Sequence, residues 1–194
     1  MVLPLVDELR QERRRLLDTL RSLTDEEFES GPTLCQGWAP RDVLAHVMGV
    51  DRPGMYVRCL LRIDTANARM VDHGRRMDRE ELMAAAVDWA ERPSLTTRLA
   101  AGFLLGDLGV HHQDILRGLG RSREIPRAVT AAIFREGIIW SWPFGRKLLH
   151  HRVVPTTEGG RPIGRGSEVR GPTEALGMWL AGRHSVEPEL EFAS

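Results

Sequence analysis

The sequence predicts a mainly α-helical protein with a small α/β C-terminal portion. Two observations carry that expectation. Apolar residues recur at helical spacing through most of the first 140 positions, with helix-start residues between the runs. Beyond position 150 the pattern gives way to a glycine-rich stretch with two short extended runs.

Residues 4–22 place Leu5, Leu9, Leu16 and Leu20 at helical spacing among dense charge, the pattern of an amphipathic helix. Thr24, with Glu27 three residues on, forms a capping box for a short turn of helix. GPTLCQGWAP (31–40) reads as a loop punctuated by Gly31, Pro32 and Gly37. Pro40 suits the first turn of a helix, where its missing N–H costs nothing. That helix extends from about 40 into the low 60s, bent or interrupted at Pro53-Gly54. Asp78 caps 79–91, with Glu81 three residues on, and Pro93 closes or bends it. A longer helix is expected over 96–118, stopped by Gly118 and Gly120, and another from Pro126 to 140. The tail 151–171 suggests a hairpin around EGGRPIGRG, and 172–182 returns to helix behind Pro172. The expected division is therefore a helical bundle over 1–150 and a hairpin-plus-helix region over 151–194.

At 194 residues the chain fits one domain, or one with a small appendage, and buries enough core to need no disulfide or structural metal. Its 27 basic and 27 acidic residues cancel, which argues against a nucleic-acid or membrane-surface binder. There is no apolar run of the ~18–20 residues that span a bilayer, and no signal-peptide pattern. Two cysteines, Cys35 and Cys59, do not make a disulfide scaffold. A reduced, cytoplasmic protein is expected. All the basic residues but Lys147 are arginine, a bias that suggests a GC-rich, actinobacterial type of genome.

The chemistry concentrates in GDLGVHHQDILRGLG (106–120). Asp107 and His111 are one turn apart at the border of the apolar stripe made by Leu104, Leu108, Ile115 and Leu119. That spacing brings a carboxylate oxygen beside an imidazole nitrogen and can grip one cation; an exposed ion pair is the simpler reading. In RDVLAHVMGV, His46 stands at the rim of the face formed by Val43, Val47 and Val50. Alone it reads as a hydrogen-bonded core histidine. Packed together, the two helices would offer a His/Asp/His set with an open position, the layout of a catalytic metal site. Zinc, nickel or ferrous iron would suit it.

Three segments in order, GWAPRDVLAHV, GDLGVHHQDILRGLG and VRGPTEALGMWLAGR, resemble the signature segments of the DinB-like superfamily, in its mycothiol-dependent maleylpyruvate isomerase branch. The resemblance runs from about residue 32 to 183. It implies a DinB-like four-helix bundle with a small α/β C-terminal portion. It also implies a divalent metal, usually zinc, held by one histidine of the first segment and a Glu-x-x-x-His pair of the second. Carried over by position, these are His46, Asp107 and His111. Counting back three from Asp114 selects His111 rather than His112. Aspartate at 107 stands where the family has glutamate and shortens the reach by one methylene.

The resemblance further implies mycothiol as thiol cosubstrate, and isomerisation or S-transfer through attack of its metal-bound thiolate on a small electrophile. The implied partners are small molecules, without nucleic acid or membrane, acting on a monomer or homodimer. The alternative is a non-catalytic member that senses a ligand or binds a protein.

Asp114 reads as a residue behind the ligands, as a partner for Arg41 or Arg117, or as a simple surface residue. Cys35 reads as a small loop residue, with a metal-adjacent role as the alternative. His73, His150, His151 and His184 read as scattered surface histidines, with another metal site as the alternative. Trp140 and Trp142 read as core or pocket wall.

Overall fold

The computed structural model describes residues 5–51, 54, 62–142, 146–157 and 159–193. Cys59, and most of the helix expected between residue 52 and the low 60s, lie outside them. The chain forms two compact units, 1–123 and 124–194.

The first unit is helical. Its elements are α1 (Val6–Arg21), α2 (Asp25–Ser30), α3 (Pro40–Val50), α4 (Ile63–Gly74), α5 (Arg79–Glu91), α6 (Leu95–Leu99) and α7 (Ala101–Gly118). Local chemistry sets several of the starts. Thr24 Oγ1 accepts the Glu27 N–H at 3.1 Å while Glu27 accepts the Thr24 N–H at 2.9 Å. Asp78 and Glu81 close the same box at 2.8 and 3.1 Å. Pro40 opens α3, and the Asp42 carboxylate accepts the Ala39 N–H at 3.1 Å.

Two elements differ from the sequence reading. Helix α4 was not anticipated, because Ala66, Met70, Val71 and Gly74 carry its buried face among polar neighbours that dilute the pattern. The single helix expected over 96–118 is two, broken at Ala100 (φ −93°, ψ 8°). Ser94 caps α6 by accepting the Thr97 N–H at 3.1 Å, and Thr97 Oγ1 turns inward to Asp51 at 3.3 Å.

Helix α1 packs on α5 and α7, and α3 on α4, α5 and α7, so α1, α3, α5 and α7 make a four-helix bundle. Its centre is Leu9, Leu16 and Leu20 of α1, Leu44 of α3, Leu82 and Ala86 of α5, and Leu105 and Ile115 of α7. Two buried polar clusters brace this apolar centre. Arg13 lies over the Trp89 ring at 4.2 Å, pairs with Asp51 and donates to the Trp89 carbonyl at 2.8 Å. Glu12, wholly buried, takes Arg123, Arg15 at 3.2 Å and His112 Nδ1 at 2.7 Å. His112 Nε2 meets the Thr19 hydroxyl at 2.8 Å, so this histidine ties α7 to α1.

The second unit holds α8 (Arg127–Trp140), α9 (Lys147–His150), β1 (His151–Pro155), β2 (Ile163–Gly164), β3 (Ser167–Gly171), α10 (Thr173–Leu180), a 3₁₀ turn (His184–Glu189) and β4 (Glu191–Phe192). The sheet order is β2-β1-β3-β4. The expected hairpin is the antiparallel β1–β2 pair, but the longer pairing is parallel, β1 with β3, with Val153 opposite Val169. Helix α8 belongs to this unit because it packs along α10: a Cβ on Gly137 would stand 2.3 Å from the Gly177 carbonyl oxygen. The unit boundary thus falls before α8, whereas the sequence reading put α8 with the bundle. Trp142, expected in core or pocket wall, is 60% exposed. Trp140 is half-buried and donates to Glu136, one turn back on its own helix. Among the described residues no helix is long and apolar enough to cross a membrane.

The Glu12–His112 pair makes stability pH-dependent. Burial raises the Glu12 pKa, but His112 and Arg123 outweigh it and hold the carboxyl below its usual 4.5. Burial and the nearby Arg123 hold His112 below its usual 6.5. Both groups bind fewer protons folded than unfolded, so stability falls on acidification, first below about pH 6.5 and further below about 4.5. Glu12→Gln should lose about 3–5 kcal/mol at pH 7, as for a broken buried pair, and flatten the acid limb of a denaturation-versus-pH curve below about pH 4.5, while the fall below about 6.5 that belongs to His112 remains. An unchanged acid limb would contradict this assignment.

Candidate metal centre

Helix α7 carries three polar residues on one strip, spaced one turn apart: Asp107, His111 and Asp114. His111 Nε2 stands 3.7 Å from Asp107 Oδ1, and His111 Nδ1 stands 3.0 Å from Asp114 Oδ2. Across from them, α3 brings the His46 ring to 4.7 Å from the His111 ring, centroid to centroid and edge-on. One ligand atom each from His46, Asp107 and His111 fall within 4.8 Å of one another. His46 and His111 are buried, and Asp107 is half-buried. The three residues singled out from sequence are therefore together, at the rim of the core where two helices meet.

The donor set fits a divalent cation. Two ligands about 2.1 Å from a tetrahedral ion are about 3.4 Å apart, so the 3.7 Å between Asp107 and His111 needs a shift of only a few tenths. The shorter aspartate arm at 107 still reaches. His111 is also oriented as a metal-ligating histidine is: Nδ1–H donates to Asp114, which turns Nε2 toward Asp107. Burial disfavours a charge on His111, yet the Asp107 charge and the Asp114 and Cys35 contacts outweigh it and raise its pKa well above 6.5. The negative field that retains that proton would equally retain a cation.

Asp114 itself is wholly buried, and its carboxylate meets His111 and Cys35. It is therefore no surface residue, and it stands behind the candidate ligand His111. Arg41 pairs instead with Glu29 and with the carbonyls of Gly74 and Met77. Cys35 corrects the reading as a plain loop residue. Its Sγ lies 3.1 Å from Asp114 Oδ2 and 3.5 Å from His111 Nδ1.

Trp38, which the sequence reading passed over, also belongs here, its ring 5.0 Å from His46 and 6.4 Å from His111. Only the loop's position ahead of the His46 helix hinted at either residue. Cys35 and Trp38 line a cleft of about 610 Å3 with Gln36, Arg41, Asp42 and Arg75. Arg75 forks onto the buried Asp42 at 2.8 and 2.9 Å. His112 takes no part in the centre and serves the bundle. Among the described residues no metal-type cluster includes His73, His150, His151 or His184.

Imidazole and carboxylate side chains that converge from facing helices are the arrangement from which helical-bundle proteins build metal sites. The sequence match is more specific. Residues 9–101 match the model of the mycothiol maleylpyruvate isomerase N-terminal domain. The match contains His46 and ends before Asp107 and His111. Two crystal structures share the fold: a mycothiol-dependent maleylpyruvate isomerase and a histidine-to-alanine variant of it. Each is 14% identical to this chain with a TM-score of 0.68, covering 98% of this chain and 93% of its own. No curated protein matches the sequence. The DinB-like, mainly α fold read from the sequence is the fold of these structures.

Removing the Asp114 carboxylate takes the acceptor from the buried His111 Nδ1–H and from the half-buried Cys35 thiol. Asp114→Ala should cost about 1–3 kcal/mol in chemical denaturation of metal-free protein. A change below about 0.5 kcal/mol would mean that neither bond persists in solution.

Proposed function

We propose that this chain holds a divalent cation on His46, Asp107 and His111 and acts as a thiol-dependent isomerase or S-transferase on a small electrophile. The observation that carries this reading is the division of labour on His111. One nitrogen is fixed by Asp114, and the other faces Asp107 beside His46. Zinc is the ion proposed, since two imidazoles and one carboxylate suit it. Mycothiol is the thiol proposed, because the crystal structures that share the fold are of a mycothiol-dependent maleylpyruvate isomerase.

A cation bound there supplies Lewis-acid stabilisation of a thiolate, lowering a thiol's pKa toward neutrality. The chain's own residues do the rest. Asp107 offsets part of the ion's charge and leaves a net positive centre for an anionic sulfur. Asp114 holds the His111 ring in one orientation. Trp38 shields the imidazoles on the loop side, which keeps the local dielectric low and the charges effective. None of these side chains is required as a nucleophile, because the thiol brings that function.

Protein purified without chelators or a histidine tag should carry about one equivalent of zinc or a similar ion by elemental analysis, lost in His46→Ala/His111→Ala. The loaded protein should then turn over an electrophile only when a low-molecular-weight thiol is added. No metal after reconstitution, with the variant as stable as the parent, would overturn the reading. Metal without thiol-dependent turnover would favour a ligand-sensing member of the same fold.

A further inference from the structure

We infer that Cys35 is a positioning residue for His111, acting through the carboxylate of Asp114. This rests on the metal reading above for its consequence, but not for its geometry. Asp114 Oδ2 receives two donors: His111 Nδ1–H at 3.0 Å and the Cys35 thiol at 3.1 Å. A carboxylate oxygen has two lone pairs, and the two donors fill both. The 3.5 Å between Sγ and Nδ1 is the separation of two donors converging on one acceptor. Without the thiol, the Oδ2 of this buried carboxylate would lose one of these two donors, and with it part of what fixes its rotation toward the imidazole it holds.

The thiol is aimed by its loop. Thr33 Oγ1 accepts the Cys35 N–H at 3.1 Å and donates to the Trp38 carbonyl at 2.8 Å. Trp38 N–H returns to the Cys35 carbonyl at 3.1 Å, which closes the turn. The turn is fastened to α7 at two points. Leu34 N–H donates to the Asp114 carbonyl at 3.0 Å. At Gly118 the loop crosses so closely that a Cβ would lie 2.4 Å from Thr33 Cα. The same loop therefore delivers Trp38 to one side of the His111 ring and Cys35 to its orienting carboxylate.

Cys35, His111 and Asp114 also lie within 4.8 Å of one another by their ligand atoms and could share an ion through Nδ1. That set and the His46 set need opposite nitrogens of one imidazole. The hydrogen bond from Nδ1 to Asp114 favours the thiol as donor and Nε2 as ligand.

The test compares wild type, Cys35→Ala and Cys35→Ser. The first readout is zinc affinity by chelator competition, the second the cobalt-substituted spectrum, and the third exchange protection of the His111 Nδ1–H proton by NMR in metal-free protein. Cys35→Ala should weaken zinc by about tenfold, the low end for groups that orient a ligand, and expose the Nδ1–H to faster exchange. Cys35→Ser, which keeps a donor of similar size, should restore both. Equal affinity and equal protection in Cys35→Ala would overturn the inference, as would failure of serine to rescue. A near-ultraviolet thiolate-to-cobalt band, lost in Cys35→Ala, would make Cys35 a ligand and overturn the positioning role. If wild type takes up neither ion while Nδ1–H protection still depends on Cys35, the metal reading fails and the positioning role stands.

Discussion

The hydrogen bond from His111 Nδ1 to Asp114 is the constraint on which the rest of the centre depends. An imidazole has two nitrogens and one ring plane, so fixing one nitrogen fixes the direction of the other. With Nδ1 committed to a wholly buried carboxylate, Nε2 must face Asp107 and His46. The arrangement gains precision because Asp107, His111 and Asp114 share one helix at spacings of one turn. A site on a single rigid element varies less than one assembled from loops.

The neighbouring histidine shows what the bundle contributes. His112 is one residue along and about 100° around the helix, so it points toward α1 rather than α3. There it donates to Glu12 and meets Thr19, and Arg123 completes the charge balance. Adjacent residues of one type thus do different work, one bracing α7 against α1 and the other facing the candidate ligands. The bracing fixes the rotation of α7, which the Asp107–His111–Asp114 strip needs in order to face α3.

Where the determinants are local, the sequence was readable. The Thr24–Glu27 and Asp78–Glu81 boxes span three residues each, and Pro40 acts on its own turn. His46, Asp107 and His111 could be proposed from helical periodicity together with the family resemblance, which also separated His111 from His112. The determinants that escaped are those set by distant packing. Cys35 meets Asp114 across 79 positions of sequence, and nothing beside it in the chain signals a buried carboxylate. Thr97, in the short helix ahead of the break at Ala100, meets Asp51, another long-range contact. The parallel β1–β3 pairing lies hidden behind a glycine-rich segment that reads as a simple hairpin. Trp142 has the composition of a core residue, but its place at the end of α8 leaves it in solvent.

The ligand set is the central claim, and zinc-edge X-ray absorption on the loaded protein tests it most directly. Two imidazoles and one carboxylate oxygen, with nitrogen and oxygen near 2.0–2.2 Å and no sulfur shell, is the predicted result. A sulfur shell near 2.3 Å with a single imidazole would contradict it. The ion would then sit on Cys35, His111 and Asp114, and His111 would be held by its other nitrogen.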